Sequence, residues 1–279
     1  MPSPSGHAIA TEKAACRYPP LIDFPDSSQF AALLDDPRFY AVLGVGILAG
    51  VVRGFSGFGS ALIYIPLVSA IYEPKIASAS FILMDFFCTA PFAWRLYPIS
   101  NKREIWPLTG AAALTIPFGA MLLIYVDPET LRWMIGALIF MLLFVLVSGW
   151  RFPGKPTLPL TIGVGLVSGI FGGAVQLVGP FTIVYWLGSP NPAAVVRANL
   201  MVFFALAGLV IVIAYVAQSF FTAQIIALTL LVAAPYVITL FLGAWLFKGS
   251  SETLYRKIAY AIVGISALIS LPVFDGLLH

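Results

Sequence analysis

Long apolar stretches, separated by short polar turns, run along most of the chain. This pattern predicts ten helical segments, at residues 39–53, 58–72, 76–97, 104–126, 129–149, 158–172, 175–187, 192–217, 222–247 and 252–271. A membrane-spanning helix needs about 20 residues. The third to fifth and the eighth to tenth segments reach this length, whereas the other four are shorter and are broken by glycine clusters at 54–59 and 172–173. We therefore expect an all-α, polytopic membrane protein that contains two hairpins of short, broken helices.

The composition supports lipid as the solvent for these segments. Apolar residues make up 60% of the 279 residues and charged residues 10%, whereas soluble domains are about a quarter charged. The net charge of +3 divides into −2 for residues 1–38, which hold five acidic and three basic side chains, and +5 for the remainder. Those basic residues sit mostly between apolar runs, where they orient a membrane protein. This distribution does not suggest nucleic-acid binding, and we expect the lipid bilayer as the main partner.

The second half of the chain repeats features of the first. Three glycines recur 119 residues later, with Gly44, Gly46 and Gly50 matching Gly163, Gly165 and Gly169. The same offset aligns residues 79–81 with 198–200, and 129–131 matches 252–254 at an offset of 123. Five segments per half is an odd number, so the second half enters the membrane from the opposite side. We expect two inverted five-segment repeats, each opening with a short broken-helix hairpin.

This repeat sets the expected domain boundaries. Residues 1–38 are proline-rich and polar, and we interpret them as an N-terminal tail with a short helix near Gln29 to Leu34 rather than a cleaved signal. The first transmembrane repeat spans 39–150, and a connecting loop spans 151–157. The second repeat spans 158–271, and a short C-terminal tail spans 272–279.

Basic residues in the short loops indicate the orientation of the repeats. They follow the third, fifth and ninth segments, at Lys102, Arg103, Arg151, Lys155, Lys248, Arg256 and Lys257. Cytoplasmic loops carry such an excess of positive charge, so we expect these three loops inside the cell. The loops after the fourth and eighth segments lack this excess, and we expect them and both termini outside.

Inverted repeats with interrupted helices are typical of secondary transporters, whose site lies near the midplane where the broken helices meet. A helix that starts inside the membrane has unpaired N–H groups, which are costly in hydrocarbon unless a ligand or water meets them. Its N-terminus also carries partial positive charge, which favours an anion. We expect such N-termini at 56–60 and 174–176. The sequence therefore predicts a transporter of a small anion.

The glycine-rich hairpins resemble those of the sulfite exporter TauE/SafE family of membrane anion transporters. The first motif covers residues 54–60 and is followed by Pro66, and the second covers 169–173 and is followed by Pro180. The resemblance extends over about residues 40–271. It implies a secondary transporter, in the bacterial inner (plasma) membrane, that exports sulfite or a short organosulfonate.

Polar side chains near the hairpin tips are the candidate ligands for the anion. Arg53 lies at the first tip, where a guanidinium can hold a sulfonate or sulfite in a fork of donors. Gln176, at the second tip, is an uncharged donor that stands where a small residue is common in the family. The full set of candidate substrate-binding residues is Arg53, Ser56, Gly57, Ser60, Ser80, Gly173, Gln176, Arg197 and Asn199. Each also has a structural alternative, as an ion-pair member, a helix cap or a loop residue.

Asp85 is a carboxylate near the middle of the third segment. A protonated carboxyl costs less than a charged one at this depth, which makes Asp85 the candidate proton-coupling residue. Alternatively, it neutralises Arg53 or Arg95. A carboxylate beside an anion site would repel the substrate unless it were protonated, and this repulsion is itself a possible coupling mechanism.

Catalytic and cofactor chemistry find little support in the sequence. The two histidines, His7 and His279, lie at the termini, and Cys16 and Cys88 have no metal-ligand spacing. We expect no catalytic residues, no metal and no cofactor, and hence no enzyme. Two alternatives stay open: the membrane subunit of a larger complex, and a transporter or channel for another small anion such as a carboxylate. The sequence leaves the oligomeric state open.

Overall fold

The computed structural model describes residues 22–56, 59–148, 157–187, 189–246 and 252–274. Within these ranges the chain forms eleven α-helices, with short 3₁₀ helices at Tyr97–Ile99 and Pro272–Phe274. The α-helices are α1 Ser27–Asp35, α2 Pro37–Ser56, α3 Ser60–Ile71, α4 Pro74–Leu96, α5 Lys102–Tyr125, α6 Pro128–Ser148, α7 Leu158–Val175, α8 Gly179–Leu187, α9 Ala193–Ala217, α10 Ala223–Leu246 and α11 Glu252–Ile269.

Each of the ten predicted segments corresponds to one of the helices α2 to α11, and the short helix of the tail is α1. Local chemistry sets several of their starts. Pro37, Pro74 and Pro128 are first residues of helices, a position where the fixed φ of proline suits the helix and its missing N–H costs nothing. Seven helices in the described part of the chain are long and apolar enough to cross a membrane. These findings confirm an all-α, polytopic membrane protein.

The break in the second hairpin lies three residues later than the sequence predicts. The predicted break falls at Gly172-Gly173, but α7 continues through both residues to Val175. Gly173 instead serves packing, because a Cβ at this position would collide with the carbonyl oxygen of Ile116 on α5. The helix ends at Gln176, whose φ of 60° and ψ of 15° are left-handed. The prediction was wrong because a glycine in a membrane helix marks close packing as readily as it marks a break.

Each of two hairpins combines a longer helix with a shorter one. The sequence predicts that the first and sixth segments are too short to span, but α2 and α7 have 20 and 18 residues and are among the seven candidate spans, so this prediction was wrong. The Tyr72 hydroxyl, at the end of α3, donates to Asp36 Oδ2 at 3.0 Å, just before α2. The hydroxyls of Thr161, near the start of α7, and Tyr185, near the end of α8, are hydrogen-bonded at 2.6 Å. Each hairpin therefore begins and ends at one side, and its tip includes Gly59 in the first hairpin and 176–178 in the second.

The two hairpins open at opposite ends of the molecule. The first one leads directly into the start of α4, where the Lys75 ammonium lies 4.8 Å from the ring centre of Phe220, just after α9. The second one leads into the start of α9, where Asn199 accepts a hydrogen bond from the backbone N–H of Asn101, after α4. Helices α4 and α9 are thus antiparallel, and each hairpin adjoins the first turn of one of them.

Helix α3 is enclosed by the rest of the molecule. Nine of its twelve residues are buried, and it packs against α2, α4, α6 and α11. Twelve residues extend about 18 Å, which is well short of the roughly 30 Å hydrocarbon core. Helix α3 is therefore too short to span a bilayer alone, and its N-terminus at Ser60 is buried inside the protein.

The closest helix contacts occur in two matching pairs, α2 with α10 and α5 with α7. A Cβ at Gly119 on α5 would collide with the carbonyl oxygen of Ile170 on α7. A Cβ at Gly243 on α10 would collide in the same way with the carbonyl oxygen of Val51 on α2. Val51 and Ile170 are 119 residues apart, which is the offset of the sequence repeat. Gly119 and Gly243 are 124 residues apart, so the two helix pairs use the same kind of contact, and the repeat offset holds for the carbonyl side alone.

Candidate functional site

A cavity lies where the tips of the two hairpins meet. The first hairpin contributes Gly59 and the opening turn of α3, and the second contributes the run 176–180 and Ile183. The helices α4 and α9 complete the wall. The cavity has a volume of about 60 Å³, and one water needs roughly 10–15 Å³ measured in this way. The space therefore suits several waters or one small anion.

Two helix N-termini border this cavity. Helix α3 begins at Ser60, directly after Gly59, whose φ of 104° suits glycine and which provides no side-chain cap. Helix α8 begins at Gly179, which itself lines the cavity. The first N–H groups of each helix lack intrahelical partners, and the helix dipole adds positive potential at the same place. Both hairpins thus direct partial positive charge at the cavity.

Arg53 and Asp85 form a buried ion pair on the cavity wall. Arg53 Nη2 donates to Asp85 Oδ2 at 3.0 Å, and the two side chains are 7% and 14% exposed. The Tyr236 hydroxyl donates to the other oxygen, Oδ1, at 2.8 Å. Of the two partners considered for Asp85, the structure selects Arg53, since Arg95 is exposed on the surface. Pairing lowers the large cost of placing a charged side chain at membrane depth.

Gln176 lines the cavity, and its buried side-chain amide lies near the Tyr215 hydroxyl without a hydrogen bond of standard geometry at Nε2. The residue is 5% exposed, and its Nε2 has no hydrogen-bond partner among the described residues. A buried donor without a partner costs about 1–3 kcal/mol, so the site favours a ligand that brings an acceptor oxygen. The neighbouring carbonyl of Gly173 is already occupied, because the Tyr215 hydroxyl donates to it at 2.8 Å.

The remaining residues predicted near the tips differ in position. Ser60 is buried at the start of α3, and its Oγ makes no hydrogen bond with a described residue. Gly173 is buried against α5 rather than on the cavity wall. Ser56 ends α2, but its side chain and all of Gly57 lie outside the described residues.

Three further candidates lie away from the cavity. Ser80 Oγ donates to the carbonyl of Ile76 at 2.7 Å and lies 3.1 Å from the Tyr64 hydroxyl. Asn199 is engaged at the start of α9, and Arg197 is exposed there and does not line the cavity. The candidates Arg53 and Arg197 are therefore not brought together, and within the described residues the cation of the cavity wall is Arg53.

Sequence reasoning missed Glu104, which joins the start of α5 to the end of α8 and the start of α9. One of its carboxylate oxygens accepts from Trp186 Nε1 at 2.8 Å, and the other accepts from Asn101 Nδ2 at 2.7 Å. The side-chain amides of Asn191 and Asn199 add further bonds at 3.1 and 3.3 Å. Glu104 follows Lys102 and Arg103, and these two basic residues made it resemble an ordinary loop residue.

Sequence reasoning also missed Tyr236. Its signal was a phenolic hydroxyl, directly after Pro235, within a long apolar run. A polar group in such a run needs a partner, because hydrocarbon provides none.

Seven candidate spans, the buried short helix α3 and a largely apolar cavity that holds one ion pair between two helix N-termini are features of a polytopic integral membrane transporter. A model of the sulfite exporter TauE/SafE family matches residues 42–269, and the chain belongs to this family of membrane anion transporters. No curated protein and no solved structure matches the chain. The family match and the seven candidate spans together confirm the predicted location in the bacterial inner membrane. The family also confirms a small anion as the kind of substrate.

Proposed function

We propose that this protein is a secondary transporter of a small sulfur-containing anion, sulfite or a short organosulfonate, which binds between the two hairpin tips. The observation that carries this proposal is the donor set of the cavity. One guanidinium, one unpaired amide and two helix N-termini border a space of anion size. An oxyanion with three oxygens can accept from several of these donors at once, and charge-assisted bonds of this kind are the strong ones.

Arg53 and Asp85 provide a route to proton coupling. An incoming anion competes with Asp85 for the Arg53 guanidinium. Protonation of Asp85 removes this competition and the repulsion between the two anions, and Tyr236 keeps the carboxyl group in place. Binding of the anion and of a proton then favour each other, which is the linkage that a proton-coupled transporter needs.

Alternating access would follow from an inverted repeat. The hairpins open at opposite ends, and Gly119 and Gly243 contact the carbonyls of Ile170 and Val51, which are 119 residues apart. Both observations support two halves that are related by an axis in the membrane plane, with the site on that axis.

Transport by the purified protein in liposomes tests the proposal. Efflux of sulfite and of ethanesulfonate is measured with and without a pH gradient. The double variant Arg53→Gln/Asp85→Asn removes both charges together, because deleting one member of a buried pair costs about 3–5 kcal/mol of stability. We expect folded protein and at least a tenfold loss of transport, which corresponds to about 1.4 kcal/mol. The control Arg95→Gln alters an exposed arginine at the end of α4 and should transport normally.

Asp85→Asn alone separates binding from coupling. The variant should still bind the anion but lose the response to the pH gradient. If the double variant transports as well as wild type, the site lies elsewhere. If wild type moves neither anion under any gradient, a carboxylate substrate or a role as the subunit of a larger complex replaces this proposal.

A further inference from the structure

The two halves of the chain contribute unlike side chains to the cavity. The repeat offset of 119 residues pairs Arg53 with Gly172 and Asp85 with Phe204. Asp85 and Phe204 both line the cavity, on α4 and on α9. The first half thus provides an ion pair, and the second half provides an aromatic ring at the matching position.

This difference leaves the second half's part of the lining without a charged side chain. A Cβ at Gly172 would collide with Val178, so an arginine equivalent to Arg53 has no room there. Phe204, Ile183 and Ile211 form an apolar wall in this part of the cavity. Gln176 and the ion pair are the polar side chains of the described lining.

The apolar wall lies close to the helix N-terminus of the second hairpin. A Cβ built on Gly179 would lie 3.3 Å from Ile183 Cδ1 and 3.6 Å from Phe204 Cζ. A group bonded to an oxyanion at the start of α8 would therefore reach the ring of Phe204 within a few bonds.

We propose that the site selects a monoanion that carries a short apolar substituent, with the oxyanion group against Arg53 and Gln176 and the substituent against Phe204. This inference rests on the proposed function and adds the substrate class and its specificity-determining residue. A bare oxyanion leaves the apolar wall in contact with water or empty space. A dianion such as sulfoacetate would place its second charge against that wall, where the described lining residues offer no cation.

A series of alkanesulfonates tests the inference. Methane-, ethane-, propane- and butanesulfonate, with sulfite and sulfoacetate, compete for transport in the liposome assay. Burial of each methylene should tighten binding about fourfold until the wall is reached. We expect an optimum within the series, and weaker competition by sulfite and sulfoacetate.

Two substitutions should move this optimum in opposite directions. Phe204→Ala opens the wall and should favour longer chains, with Phe204→Leu as the milder variant should alanine impair folding. Gly179→Ala adds a methyl between Ile183 and Phe204 and should favour shorter chains. Leu209→Ala alters an exposed residue of α9, the helix that carries Phe204. It should leave the order of competition among the sulfonates unchanged.

The results distinguish this inference from the proposed function. If sulfite competes as well as the best sulfonate, and the Phe204 variants keep the wild-type profile, the inference is overturned while the proposed function stands. If no sulfur oxyanion competes at all, both are overturned. An optimum that moves with Phe204 supports both.

Discussion

Gln176 carries two costs that a glycine at the same position would avoid. Its left-handed backbone, with φ of 60°, costs on the order of 1 kcal/mol for a residue with a Cβ. Its buried Nε2 has no partner among the described residues, and such a group adds about 1–3 kcal/mol. A ligand oxygen would recover the second cost. The backbone strain and the unpaired donor thus occur in the same residue, at the tip of the second hairpin. Strained backbone is common at binding sites.

We predict that Gln176→Gly stabilises the protein but weakens anion binding. Glycine relieves the strained backbone and removes the unpaired amide, so the thermal unfolding midpoint in detergent should rise by a few degrees. Sulfonate binding should fall several-fold, because a donor to the oxyanion is lost.

Ser219→Gly is the matched control for this prediction. Ser219 is the other described non-glycine residue with positive φ, at 54°, and it does not line the cavity. It should gain stability without any change in binding. Unchanged binding in Gln176→Gly would show that this amide is not a ligand.

At this scale the sequence predicts the charged residues better than their partners. Arg53 and Asp85 are conspicuous because charge inside an apolar run is costly wherever it occurs. Tyr236 gains its role from Asp85, 151 residues away, and Glu104 accepts from Trp186, 82 residues away, as well as from its neighbour Asn101. Arg197 failed to reach the cavity because its place on α9 turns it to the surface. The type of a residue and its spacing in the sequence do not determine which face of a helix turns to the cavity.

Helix pairs α2–α10 and α5–α7 approach each other closely because glycines remove side chains from their interfaces. Gly119 and Gly243 each face a backbone carbonyl of the partner helix. Without a hydrophobic drive between helices in lipid, this close packing is a main source of association. The apolar runs predict these helices well, but they do not predict which glycines pack and which end a helix, as the misplaced break at Gly172-Gly173 illustrates.

Alanine at Gly119 or at Gly243 should destabilise the protein by more than about 2 kcal/mol, since backbone on the partner helix has to move to admit a methyl group. Gly110 on α5 and Gly163 on α7 have open space where a Cβ would lie. Alanine there should be neutral or slightly stabilising. Thermal unfolding in detergent measures all four variants. Equal effects at packed and open glycines would contradict the packing account.

The molecule as a whole combines matched packing with unmatched chemistry. Similar glycine contacts occur in the helix pairs α2–α10 and α5–α7, and the hairpins open at opposite ends, whereas the ion pair lies on α2 and α4 and Phe204 on α9. Inverted repeats are a recurring plan of secondary transporters. In the arrangement that we propose, the similar halves would exchange two conformations, and the unmatched residues would decide which anion binds.

An inverted arrangement predicts opposite accessibility for residues next to the two hairpins. Asp35 precedes the first hairpin and Pro190 follows the second, and both are exposed. Single cysteines at these positions are made in a background with both native cysteines replaced by serine. A membrane-impermeant maleimide added to intact cells should label Asp35→Cys, and Pro190→Cys should react only after the membrane is opened.

Cysteines at two further positions show which side of the membrane is outside and which is inside. Thr222, between α9 and α10, is expected outside, and Arg103, at the start of α5, is expected inside because of its basic loop. Both are exposed, so a lack of labelling reports sidedness rather than burial. Inside-out vesicles should reverse the whole pattern. If Asp35→Cys and Pro190→Cys react from the same side, both hairpins enter the membrane from that side. Alternating access by inverted halves then has to be abandoned.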